Sequence, residues 1–231
     1  MKIVVNGGTR GIGREIVLLL AREKRNLVFV TGRNRINLKQ LSADAVNGNI
    51  FTHPLDMMHI EENEKSVAEA IAGSLKNVDI LINNAGTLVS ADFMDFNNKE
   101  AVRMMETNFF GPASLIRILR PFMSKGSHIV NISSMGGFQG SSKYRGLSYY
   151  SASKAALSCL SECLAEEFRD AGIAVNCLAL GSVQTEMLEE AFPGYKAEVS
   201  ARDMAEFIAD FAINGNKFFN GKVIPVAAGD P

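Results

Sequence analysis

Tyr150 and Lys154 lie four residues apart, so on a helix their side chains share one face. A phenol with a pKa of about 10 is a poor acid or base at neutral pH. A nearby lysine ammonium stabilises the phenolate and lowers that pKa. The pair could then act as a general acid in carbonyl reduction or as a base in alcohol oxidation. Tyr149, five residues from Lys154, points elsewhere, and Tyr-x-x-x-Lys also occurs by chance on many helices.

A second polar group that could do chemistry is the Ser134 hydroxyl. Ser134 follows the apolar run His128 to Ile132, which we interpret as a strand. At a strand end, the hydroxyl can hydrogen-bond a substrate oxygen on which negative charge develops. The polar, glycine-rich stretch Met135 to Ser148 is typical of an active-site loop. A Ser-Ser pair can also simply end a strand.

A glycine turn, Asn6 to Gly13, separates a predicted strand from a predicted helix, Arg14 to Arg22. Gly7 can turn the chain sharply, Gly11 lets backbone approach a ligand, and Gly13 lets the helix pack on the strand. The free N–H groups and positive dipole end of the helix would face an anion such as a pyrophosphate. The alternative is a tight strand–helix connection without a ligand.

The loop after the second strand indicates which dinucleotide would bind. The apolar run Leu27 to Val30 ends at Thr31-Gly32-Arg33-Asn34, which holds no carboxylate for a 2′-hydroxyl. Arg33, with Arg10 in the glycine turn, could accommodate the 2′-phosphate of NADP. We therefore predict NADP and consider NAD less favoured, although either arginine alone could be a solvated surface residue.

Strands and helices alternate along the whole chain. This predicts one α/β domain over 1–231, a doubly wound Rossmann sheet of about seven parallel strands with helices on both faces. The remaining strands are predicted at Ile3 to Val5, Ile50 to Leu55, Val78 to Ile82, Ile173 to Leu178 and Lys222 to Val226. The remaining helices are predicted at Ile36 to Val46, Glu61 to Leu75, Lys99 to Met123, Tyr149 to Ala171, Glu186 to Ala191 and Arg202 to Ile213.

The order of motifs resembles the short-chain dehydrogenase/reductase family over essentially the whole chain. In order they are the turn Asn6 to Gly13, the run Asn83-Asn84-Ala85-Gly86, a mid-helix Asn108, Ser134 and Tyr-x-x-x-Lys. The resemblance is to short, single-domain members such as 3-oxoacyl reductases and related carbonyl reductases. It implies a tetrad in which Asn108 bends its helix and holds a water that relays protons to the lysine; its members are Asn108, Ser134, Tyr150 and Lys154.

The resemblance also implies a cofactor site, in which Asp56 would hydrogen-bond the adenine amine and Met57 would border the ring. Its residues would be Gly7, Thr9, Arg10, Gly11, Ile12, Gly13, Arg33, Asp56, Met57, Asn84, Ala85, Gly86, Tyr150, Lys154, Gly181, Val183 and Thr185. No metal site is predicted. Asn6 stands where the family commonly has threonine, Leu180 stands where proline commonly precedes Gly181, and the Ser134–Tyr150 loop is longer than in many relatives. These departures bear on the substrate more than on catalysis.

The predicted function is an NADP-dependent oxidoreductase for a small carbonyl or alcohol substrate. A cofactor-sensing regulator of the same fold without turnover is the alternative. An epimerase or dehydratase of the extended branch fits less well, because the chain has no room for a sizeable C-terminal substrate domain. We interpret 186–200 as a substrate lid, since apolar side chains accompany Pro193-Gly194; an amphipathic surface helix is the other interpretation.

Composition bounds the partners and the compartment. Lysine and arginine number 24 and acids 25, so neither nucleic acid nor an anionic membrane is an expected partner. No signal peptide or bilayer-spanning run is recognisable, and three cysteines cannot all pair, so we expect a cytoplasmic protein. The helices Lys99 to Met123 and Tyr149 to Ala171 carry apolar residues on more than one face, which predicts a homodimer or homotetramer.

Overall fold

The fold is built on seven parallel strands, and the computed structural model describes residues 1–227. The strands of this sheet are β1 Lys2–Asn6, β2 Leu27–Gly32, β3 Ile50–Pro54, β4 Ile80–Asn83, β5 His128–Ser134, β6 Ala174–Leu180 and β9 Val223–Val226. They lie side by side in the order β3-β2-β1-β4-β5-β6-β9. The predicted doubly wound Rossmann sheet is confirmed.

Helices cover both faces of the sheet. Their bounds are α1 Gly11–Ala21, α2 Arg35–Ala43, α3 Glu64–Ser74, α4 Asn98–Met105, α5 Gly111–Leu119, α6 Ser148–Glu167, α7 Glu186–Ala191 and α8 Ala201–Asn214. One core lies between the sheet and α1, α2 and α8, and includes Ile3, Ile16 and Ile208. The other lies between the sheet and α3, α5 and α6, and includes Val4 and Leu115. Such continuous apolar strands are expected of a sheet covered on both faces.

The stretch predicted as one helix from Lys99 to Met123 is four consecutive helical segments. Between α4 and α5 the chain forms a π-helical turn, Glu106–Phe110, and after α5 it forms a 3₁₀ turn, Arg120–Phe122. Pro112 lies in the first turn of α5, where proline is tolerated. The π-helical turn lies just before Pro112, and its spacing is seen where the Gly111 amide donates to the carbonyl of Glu106, five residues earlier.

Two short strands, not expected from the sequence, flank the predicted lid. β7 Val183–Gln184 and β8 Val199–Ser200 pair in parallel and form a separate two-stranded sheet. In sequence, helix α7 and the segment 192–198 lie between these two strands, so the two ends of this segment are adjacent in the structure. The short strands have a physical reason: they fix both ends of a segment that contributes few residues to either core.

Candidate active site

A cavity of about 900 Å³ opens at the carboxyl ends of the central strands, where ligands of open α/β sheets bind. It extends from the glycine turn past Asn84 to Tyr150 and the predicted lid. Every predicted site residue lines it except Gly13 and Asn108, which lie directly behind the lining. Residues scattered over most of the chain therefore meet in one continuous space.

The glycine turn is held by contacts that leave no room for side chains. Gly7 has φ +79°, and a Cβ there would lie 2.6 Å from the Cα of Ala85. A Cβ at Gly13 would lie 2.2 Å from the carbonyl oxygen of Gly7 and 2.4 Å from Nδ2 of Asn84. Without a side chain at Gly13, the first turn of α1 can pack closely against the backbone that follows β1. Asn84 donates from Nδ2 to the same Gly7 oxygen at 2.9 Å, so its amide shapes the cradle.

At the end predicted to hold the adenosine, the side chains offer both charge and a hydrogen-bond acceptor. Arg33 is exposed at the end of β2, and the loop around it has no acid. Oδ1 of Asp56 accepts from the amide of Met58 at 3.1 Å, which fixes the carboxylate at the rim of the cavity. Met57 is buried against Gly111, so only part of it borders the cavity. Arg10 is paired with Glu190 of α7 at 3.0 Å.

Helix α6 and strand β5 position the candidate catalytic groups. Lys154 is buried, and its Nζ donates to the carbonyl of Ile132 at 2.9 Å. The same Nζ lies 6.0 Å from the centroid of the half-buried Tyr150 ring. A Cβ at Gly86 would lie 3.3 Å from this ammonium, so the loop after β4 also reaches the site. The hydroxyl of Ser134 accepts from the amide of Gly136 at 3.2 Å and shares the cavity wall with Tyr150.

Tyr149 lies apart from this group, as the helical spacing predicts. Its ring is 5.8 Å from that of Phe93 and 4.8 Å from that of Phe96, between centroids. It therefore contributes to packing beside the cavity rather than to its lining, which makes it a matched control for Tyr150.

The protonation of the pair differs from the sequence expectation. Burial raises the pKa of Tyr150, and the Ser134 hydroxyl acts in the opposite direction. Burial lowers the pKa of Lys154 to about 8, and Cys177 acts in the opposite direction. The prediction that Lys154 lowers the pKa of Tyr150 is wrong for the cofactor-free chain. The lysine has lost most of its charge before the phenol ionises, so the phenolate gains little from it.

Asn108 is buried in the π-helical turn, and its side chain is held by protein groups. Oδ1 accepts from the amide of Thr87 at 2.8 Å, and Nδ2 donates to the Thr87 carbonyl at 2.9 Å and to Oγ of Ser153 at 2.9 Å. Both N–H groups of the side chain are used in this way, so a relay water held at Asn108, as the family resemblance predicts, would have to bind another group of this residue. The backbone carbonyl of Asn108 is the better acceptor for a water, since its α-helical donor would be the amide of Pro112, which has no hydrogen.

Ser153 is a site residue that sequence reasoning missed. It is fully buried, accepts from Asn108 and donates to the backbone carbonyl of Tyr150 at 2.7 Å. It thus joins the π-helical turn to the first turn of α6. The sequence did contain a signal for it. Ser153 directly precedes Lys154 on a helix rich in small residues, and a serine that is buried there needs a hydrogen-bond partner.

The far wall of the cavity is formed by two loops and by the predicted lid. Arg145, in the loop after β5, forms a bidentate ion pair with Asp92, and the amide of Ala91 donates to the carbonyl of Gly146 at 3.1 Å. Apolar side chains from the lid face the same space; they are Met187, Leu188 and Phe192. The candidate site thus has polar side chains on the wall formed by β5 and α6 and several apolar side chains on the wall formed by the predicted lid.

The comparisons with known proteins identify the family. A sequence profile described as short chain dehydrogenase matches residues 1–196. The chain belongs to the short-chain dehydrogenase family. As a short-chain dehydrogenase/reductase, it is an oxidoreductase that acts on CH–OH or C=O groups with a nicotinamide cofactor. Among the helices of residues 1–227, none is long and apolar enough to cross a membrane.

Several known proteins match this chain along almost their whole length. An uncharacterized oxidoreductase of Staphylococcus aureus is 29% identical over 227 residues, covering 96% of this chain and 95% of that protein. A dehydrogenase/reductase from Sinorhizobium meliloti has a TM-score of 0.87 at 28% identity, covering 99% of this chain and 94% of that one. A short chain dehydrogenase from Shigella flexneri, solved in complex with NADP, has a TM-score of 0.88 at 25% identity, covering 97% and 95%.

Proposed function

We propose that this protein is an NADP-dependent reductase that transfers a hydride between the nicotinamide and a small carbonyl or secondary alcohol substrate. The observation that carries the proposal is the convergence of Ser134, Tyr150 and Lys154 in one cavity with the glycine turn. The chain's own residues would exchange the proton and stabilise the oxygen; the bound cofactor would supply the hydride.

The protonation states suit carbonyl reduction at neutral pH. Because burial raises the pKa of Tyr150, its phenol keeps its proton and can donate it to the oxygen of the substrate. Ser134 would hydrogen-bond the same oxygen as negative charge develops. Lys154, with a pKa of about 8, remains mostly charged at neutral pH and would hold the nicotinamide ribose. Asn108 and Ser153 are positioning residues that fix the helical turn carrying Tyr150.

The residues present fit a phosphorylated dinucleotide. A cradle with no room for a Cβ at Gly7 or Gly13 suits a pyrophosphate lying on backbone amides. Arg33 and Arg10 line the same cavity where a 2′-phosphate would lie. The NADP in the Shigella flexneri structure supports this choice.

We also propose that the chain forms a homodimer or homotetramer through α4, α5 and α6. Val102 and Phe110 are about half exposed, at 50% and 49%, and Cys159 and Cys163 are exposed on the outer face of α6. Apolar side chains exposed together on a protein surface are typical of a subunit contact. A cytoplasmic location and a lid over 186–200 remain part of the proposal.

The function is tested by a carbonyl substrate screen that follows NADPH absorbance, with Tyr150→Phe as the key variant. Removing the transferable proton should lower turnover about 10²- to 10⁴-fold. Tyr149→Phe should keep nearly full turnover, because its ring packs outside the cavity. Full turnover in Tyr150→Phe with a substrate that the wild type reduces would refute the assignment.

A further inference from the structure

Arg10 of the glycine turn forms an ion pair with a carboxylate of α7, in the predicted lid. Its Nη1 lies 3.0 Å from Oε1 of Glu190, a residue of α7, and both side chains are partly exposed. Within residues 1–227 this is the one ion pair between the glycine turn and the segment 186–200. A residue proposed to bind the cofactor is therefore already occupied by the protein.

Helix α7 brings further negative charge to the same place. A Cβ at Gly11 would lie 3.4 Å from Oε2 of Glu186, so this second carboxylate also lies beside the glycine turn. Glu189, between them in sequence, lies in a neighbouring crevice with Gly11 and Arg14 but forms no ion pair among the described residues. An anionic cofactor that binds at the glycine turn therefore approaches the carboxylates of α7, one of which is paired with Arg10.

We propose that Glu190 is a specificity-determining residue that competes with the 2′-phosphate of the cofactor for Arg10. The inference rests on the proposed NADP-dependent function. In the cofactor-free chain Glu190 occupies the guanidinium and ties α7 to the glycine turn. A cofactor with a 2′-phosphate displaces it, because a dianionic phosphate near Arg10 both outcompetes and repels a single carboxylate. NAD lacks that phosphate and leaves the ion pair intact.

The sign of the effect follows from this competition. Glu190 weakens the binding of NADPH and changes the binding of NADH much less, so it reduces the preference between the two. Since an exposed ion pair contributes little, removing it should tighten NADPH binding by about 1.5- to 5-fold. The preference for NADPH over NADH should rise by the same factor.

The test is fluorescence titration of NADPH and NADH against the full chain at one low ionic strength, with Glu190→Gln and Glu189→Gln. Both variants remove one negative charge from the same helix, but only the first frees Arg10. We expect Glu190→Gln alone to raise the NADPH preference. Equal effects of the two variants would overturn the proposal, because they would show only a general charge effect.

A double-mutant cycle with Arg10→Met separates this inference from the proposed function. If Glu190 acts through Arg10, Glu190→Gln should no longer alter the NADPH preference once Arg10 is replaced. An unchanged effect in the double variant would overturn the inference while NADPH binding itself still supported the function. Wild-type protein that binds neither dinucleotide would instead count against the proposed function.

Discussion

Lys154 is a buried cation, and the structure predicts that its charge lowers the stability of the cofactor-free protein. Burial moves its pKa from 10.5 to about 8. That difference corresponds to about 3 kcal/mol at 1.36 kcal/mol per pKa unit. At neutral pH Lys154 is still mostly charged, so the native state carries this penalty relative to the unfolded chain and the free energy of unfolding is lower by that amount.

The lowered pKa of Lys154 also predicts how the free energy of unfolding changes with pH. Between pH 8 and 10.5 the unfolded chain keeps the Lys154 proton that the native chain has lost, so the free energy of unfolding rises with pH in that window. About 2 of the 3 kcal/mol should be recovered by about pH 9.5. Lys154→Met has no such proton. The difference in unfolding free energy between wild type and variant should therefore move by that amount in favour of the wild type.

Urea unfolding at neutral pH and at about pH 9.5 measures this difference without any substrate. Subtracting the variant's unfolding free energy from that of the wild type cancels the contribution of groups that titrate equally in both proteins. Loss of the hydrogen bond to the Ile132 carbonyl changes this difference by an amount that does not depend on pH. Lys39→Met, an exposed change on α2, should follow the wild type at both pH values. A constant difference between wild type and Lys154→Met would refute the depressed pKa. A cation kept at such a cost is typical of a functional site.

Three further predictions concern the cofactor, the lid and the assembly. Arg33→Ala should weaken NADPH binding about 10- to 100-fold and NADH binding much less, in parallel titrations at one salt concentration; equal losses would contradict the 2′-phosphate assignment. Limited proteolysis within 186–200 should slow when NADPH and a substrate are added, and cleavage that ignores both ligands would refute the lid. Light scattering at micromolar concentration should give a dimer or tetramer mass, and a monomer mass would refute the proposed helix contact.

The sheet and the cavity wall were predictable because their signals are local. A glycine turn between strand and helix, an apolar strand running into Asn83-Asn84-Ala85-Gly86, and the spacing of Tyr150 and Lys154 each follow from backbone geometry. The carboxyl ends of parallel strands then bring these motifs to one edge whatever the loops do. Strand bounds were accordingly right to within about two residues, the usual uncertainty of such boundaries.

What the sequence did not reveal depends on contacts between distant segments. The π-helical turn adds one residue to the helix but hardly changes the spacing of its apolar residues, so the sequence pattern does not reveal it. Only the hydrogen bonds of the Asn108 side chain show that this turn positions Asn108 against Thr87. The two-residue strands β7 and β8 are too short for any alternation to register. The raised pKa of Tyr150 comes from burial in the folded chain, whereas the spacing to Lys154 indicated only proximity.

A row of buried polar side chains beneath the cavity links these local and distant features. Thr31 donates to Oδ1 of Asn6 at 3.0 Å on one side of the sheet centre. On the other side Asn83 donates to Asn131 at 2.8 Å, and Asn131 donates to Ser161 of α6 at 2.9 Å.

Between the two halves of this row, Nδ2 of Asn6 and Oδ1 of Asn83 are buried without a partner in residues 1–227. They belong to paired positions on adjacent strands, and one is a donor while the other is an acceptor. Because Asn6 and Asn83 are register partners, a hydrogen bond between these two amides would close the row across four strands. Two unpaired buried groups cost about 1–3 kcal/mol each, which strongly favours that closure. Relatives commonly have threonine at the position of Asn6. The Asn6 amide can thus connect β1, which precedes the glycine turn, through Asn83 to β5 and α6, which carry the candidate catalytic groups.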